Sequence, residues 1–128
     1  MSLHSFIQYI QYRTKAKTRH GIHSPFVYAF IDNCLGKKSN LTLEERINEY
    51  FGDAVKWVHI GAEIILEDSL VVIGVNNIHA SKEDTTAWED MKTNMGLFKI
   101  AIDLYSIGLL VYNLDVKEKQ NFVLKYPL

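Results

Sequence analysis

Arg19, His20, His23 and Ser24 fall within one short stretch, Arg19-His-Gly-Ile-His-Ser-Pro25, and make the densest cluster of reactive side chains in the sequence. Two imidazoles three residues apart could share a metal ion. A guanidinium with a neighbouring hydroxyl could instead cradle a phosphate or a carboxylate. Two ligands make an incomplete metal site, and no Cys-x-x-Cys or His-Glu-x-x-His pattern completes it. The same residues have a plainer use, as hydrogen-bonding groups that set the joint between two helices. The segment therefore stands as a candidate ligand or structural loop. Asp103 is the other residue whose setting calls for chemistry, because Ile100-Ala-Ile-Asp-Leu-Tyr105 places a carboxylate in an apolar strand. A carboxylate buried there needs a partner, and His79 and Arg19 are the candidates. No nucleophile beside a base is legible elsewhere. Ser24, Ser69, Ser81 and Ser106 suit caps and turns, and Glu44-Glu45, Glu83-Asp84 and Glu89-Asp90 suit solvated helix positions. No catalytic residue and no metal ligand is assigned.

The elements that must position these groups follow from periodicity. Leu3, Phe6, Ile7 and Ile10 predict an amphipathic helix from Ser2 to Ala16. Ser24-Pro25 is a strong start for a second helix, with the hydroxyl at the N-cap and proline at the first turn. That helix should bury Phe26, Val27, Phe30, Ile31 and Cys34 and stop at Gly36, a candidate left-handed terminator. Gly36 to Asn40 reads as an exposed linker. Thr42 and Glu45 have capping-box spacing for a third helix ending at Gly52. Ala54 to Ile60 and Ile64 to Val75 read as strands, with a turn at Glu67-Asp68. Ser69 to Val75 is apolar on both faces, as a covered central strand would be. Ser81 to Asp84 starts a further helix that turns Trp88 and Met91 inward, with Met95 a third candidate. Phe98 to Leu104, Ile107 to Tyr112 and Asn121 to Tyr126 read as strands, the first two joined tightly as an antiparallel pair.

Composition narrows the classes of function. With 128 residues, 48% of them hydrophobic, the chain fits one domain, 1–128, made of a basic helical extension (1–36) and an α/β portion (41–128). The net charge of −1 conceals an uneven distribution: residues 1–38 hold six Lys/Arg against Asp32 alone, and residues 39–128 hold eight against fourteen acids. A basic arm can steer nucleic acid, but no recognised nucleic-acid motif accompanies it, so none is expected as a partner. The single cysteine, Cys34, excludes an intramolecular disulfide and reads as a buried thiol. No signal-peptide pattern and no bilayer-length apolar run is present, so a cytoplasmic location is expected, with no membrane partner.

The segments Arg19-His-Gly-Ile-His-Ser-Pro-Phe-Val-Tyr28, Asn76-Asn-Ile-His-Ala-Ser-Lys82 with Trp88, and Ala101-Ile-Asp-Leu-Tyr-Ser-Ile-Gly108 occur here in this order. The series resembles a class I S-adenosylmethionine-dependent methyltransferase family of Bacteroidetes. Its members open with R-H-G-x-H-S-P-F-V-Y. They end with D-D-I-[HW]-x-S-x-E-M-x-x-A-W, a T-I-D-L-F-x-x-G strand pair and a final F-V-L-R-F strand. The resemblance covers the two ends. About a hundred residues that the family carries between them, with its glycine-rich cofactor loop, have only Leu41 to Leu66 in their place.

The resemblance implies a partial Rossmann-like methyltransferase fold. In the bare terms of element order this is α+β: N-terminal helices, then a mixed sheet with one crossover helix. S-adenosylmethionine is the family's cofactor, but its loop has no counterpart beyond Val58-His-Ile-Gly61-Ala-Glu63, where a lone glycine is better read as a turn. The family's paired acids, which in related enzymes hold a divalent cation, correspond to Asn76 and Asn77. This is a degenerate metal-acid position, because neutral amides attract a hard cation weakly. The expected function is a dimeric binding or assembly module without catalysis or cofactor as an isolated chain. It would form a homodimer or pair with a full-length methyltransferase relative. The alternative is a methyltransferase completed by a partner subunit, or a small ligand-binding protein using the loop from Arg19 to His23.

Overall fold

The computed structural model describes residues 24–64, 69–94, 97–116, 118–124 and 126. The helix expected over Ser2 to Ala16, together with Arg19, His20 and His23, lies outside the described residues. Helix α1 spans Pro25–Phe30, with the Ser24 side chain accepting from the Val27 amide at 3.3 Å. It runs on as a π-helical turn, Ile31–Leu35, closed by the Gly36 amide on the Ile31 carbonyl at 2.7 Å. The helix does stop at Gly36, but not through a left-handed glycine: its φ is −86°, so the wider turn ends the helix without using glycine's special freedom.

Helix α2, Leu43–Phe51, starts from the expected capping box. Thr42 Oγ1 accepts from the Glu45 amide at 3.2 Å, and Glu45 Oε1 accepts from the Thr42 amide at 3.0 Å. Gly52, at φ 57°, turns the chain into a short 3₁₀ segment, Gly52–Ala54. Helix α3, Lys82–Asn94, is capped by Ser81 Oγ, which accepts from the Asp84 amide at 3.0 Å.

Five strands form one sheet in the order β1-β2-β4-β3-β5. They are β1 Val55–Val58, β2 Val71–Asn76, β3 Ile100–Asp103, β4 Ile107–Tyr112 and β5 Gln120–Val123. β1 runs parallel to β2, β5 runs parallel to β3, and β4 is antiparallel to both its neighbours. Four strands therefore share one direction, and β4 fills the gap that α3 bridges between β2 and β3. The fold is α+β, with three α-helices and a five-stranded mixed sheet among the described residues.

Of the strand reading over Ile64 to Val75 with its turn at Glu67-Asp68, residues 65–68 lie outside the described residues, and the strand after the turn begins at Val71 rather than Ser69. Gly61, at φ 81°, reverses the chain after β1, and Ile64 is buried without joining the ladder. An apolar residue can fill a core from irregular backbone as well as from a strand, so hydrophobicity alone placed this boundary too early. The last strand is likewise shorter and earlier than Asn121 to Tyr126.

The sheet is covered on both faces. On one, Phe30, Ile31, Leu43 and Ile47 from α1 and α2 pack against Val72, Ile102, Leu109 and Val111. On the other, Trp88 and Met91 from α3 pack against Ile73, Val75, Ala101 and Leu110. Burying each large side chain contributes about 1.5–3 kcal/mol, and β2 and β4, buried on both faces, supply many of them. Two glycines admit the indoles. A Cβ on Gly108 would lie 2.5 Å from the Trp88 ring, and one on Gly74 would lie 2.6 Å from the Trp57 ring on the opposite face.

Candidate functional site

The ends of the parallel strands bring the chemically active side chains together. In open α/β sheets ligands bind outside these carboxyl ends, where the backbone leaves the ladder and loops can carry side chains over the edge. Here that edge carries Asn76 at the end of β2 with Asn77 and His79 following it, and Asp103 at the end of β3 with Tyr105 following it.

Asp103 finds its partner in His79, one of the two candidates. Asp103 Oδ2 lies 2.7 Å from His79 Nε2, and Asp103 Oδ1 accepts from the Tyr105 amide at 2.8 Å. His79 Nδ1 lies 3.0 Å from Thr85 Oγ1, in the first turns of α3. His79 is 6% exposed, and its ring centroid is 5.7 Å from that of Tyr105. Both ring nitrogens are thus engaged. With Asp103 accepting from Nε2–H, Nδ1 of the neutral ring is left to accept from the Thr85 hydroxyl.

The local backbone explains why these groups meet. Asn77 takes the left-handed conformation at φ 61°, which asparagine tolerates better than most residues. Its amide donates to the Ser106 carbonyl at 2.7 Å, and its carbonyl accepts from the Ala80 amide at 3.3 Å. The resulting turn throws His79 back over the sheet. Tyr105, also left-handed at φ 70°, makes the tight reversal from β3 to β4, with the Leu104 amide on the Ile107 carbonyl at 2.9 Å. The Asp103–His79–Thr85 chain thereby ties together the β2–α3 loop, the β3–β4 hairpin and the start of α3.

The other sequence candidates are placed apart from this cluster. Asn76 is exposed on the α2 side, and its amide donates to Glu44 Oε1 at 3.2 Å. Asn76 and Asn77, though adjacent, therefore serve different partners. Ser24 is buried as the cap of α1. Gly61 lies in the turn after β1, and its amide donates to Met91 Sδ at 3.3 Å. His59 is exposed, with Nδ1 3.2 Å from the Ile60 carbonyl. Among the described residues, no group of three or more His, Cys, Asp or Glu side chains is arranged to hold a metal ion.

Sequence reasoning missed a second polar cluster. The Arg46 guanidinium donates to the carbonyls of Cys34, Lys37, Ser39 and Leu41, clamping the exposed linker to α2. Lys37 pairs with Glu49 beside it. Asn33, Cys34, Lys37, Leu41, Arg46, Glu49 and Tyr50 line a cavity of about 210 Å³ there. Burial pushes the Cys34 thiol up to about 11, although Arg46 and Lys37 pull the other way, so this cysteine is a poor nucleophile. The guanidinium is spent on carbonyls of its own chain. Backbone acceptors leave no mark in a sequence, and only the placement of Arg46 one turn into the helix hinted at a role.

No helix among the described residues is long and apolar enough to cross a membrane. No protein-family model matches the chain, and neither curated proteins nor solved structures give a significant match.

Proposed function

We propose that this chain is a methyltransferase-like binding or assembly module that works as a dimer and does not itself transfer methyl groups. The observation that carries the reading is the internal commitment of the groups at the carboxyl edge of the sheet. Asp103 is bound to His79, Asn76 to Glu44, and the backbone of Asn77 to the β3–β4 hairpin.

S-adenosylmethionine does not fit the residues present. A cofactor of this kind needs a glycine-rich turn followed by a helix, so that backbone amides can approach it, and an acid for the ribose hydroxyls. The turn after β1 has one glycine, whose amide is engaged by Met91, and residues 62–64 continue as irregular chain rather than a helix. The neutral pair Asn76 and Asn77 offers a hard cation no carboxylate. No catalytic step is therefore derived through the cofactor.

Support for the resemblance comes from the C-terminal strands. The antiparallel pair β3–β4 and the following β5 fit the family's closing strand pair and final strand. The dimeric part of the reading rests on the outer strands of the sheet among the described residues, since the edge of a sheet must be covered or paired. Titration of the protein with S-adenosylmethionine and with its demethylated product tests the non-catalytic reading. Binding would instead favour a methyltransferase that a second subunit completes.

A further inference from the structure

We draw no further inference here: the strongest candidate, the Asp103–His79–Thr85 side-chain cluster at the carboxyl edge of the sheet, belongs to the site already described, where its three groups are engaged with one another.

Discussion

His79 Nε2 and Asp103 Oδ2 lie 2.7 Å apart across 24 residues of sequence, and this pair fixes the carboxyl edge of the sheet. The imidazole is almost fully buried, and the carboxylate, though partly exposed, also holds the hairpin amide of Tyr105. Removing either partner leaves the other desolvated without its match. His79→Ala and Asp103→Ala should each cost about 2–4 kcal/mol in urea unfolding. The double variant should cost less than the sum, because one loss already breaks the contact. Additive effects would mean the two residues contribute separately.

Gly108 and Trp88 define the packing of α3 on the sheet. Gly108→Ala drives a methyl group into a buried indole and should cost about 1–3 kcal/mol. Gly74→Ala meets Trp57, which is only half-buried and can shift outward, so it should cost less. Thermal melts of the two variants give the ranking. Gly74→Ala proving the more damaging would contradict this packing.

How much of this was legible beforehand depended on distance along the chain. The caps at Ser24, Thr42 and Ser81 could be read because each depends on residues three apart. The need of Asp103 for a partner could also be read, from the apolar run around it. Which of the two candidates would meet it could not, because that depends on β4 inserting between β2 and β3, and strand order is a non-local choice. The early boundary at Ile64 and the Arg46 clamp escaped for a different reason: irregular backbone and carbonyl acceptors have no residue-type signature.

The three caps give a graded test of local stability. Ser24→Ala, Thr42→Ala and Ser81→Ala should each lower stability by about 1 kcal/mol in chemical denaturation. In the Thr42 box, the backbone and side-chain hydrogen bonds hold the Glu45 carboxyl below its ordinary value. Its folded value is the lower one, so its contribution is present at neutral pH and is lost as pH falls through that depressed value. Thr42→Ala should therefore flatten the acid limb of the stability profile. An unchanged limb would show that the box does not hold the charge.

Two buried groups should act at the alkaline end. Burial holds the Cys34 thiol up at about 11 and the Tyr112 hydroxyl up at about 12. Each folded value lies above its ordinary value, so both contributions are complete below about pH 9 and fade as pH rises toward the folded values. Cys34 should react with a thiol reagent at neutral pH only at the rate of unfolding or local opening. Fast labelling of the native protein would contradict its burial.

Calorimetric titration of the purified chain with S-adenosylmethionine tests the central claim most directly. A module whose carboxyl-edge groups are committed to one another should give no binding heat through the micromolar range, and none with the demethylated product. A micromolar dissociation constant for S-adenosylmethionine, competed by that product, would contradict the account and restore the chain to the methyltransferases.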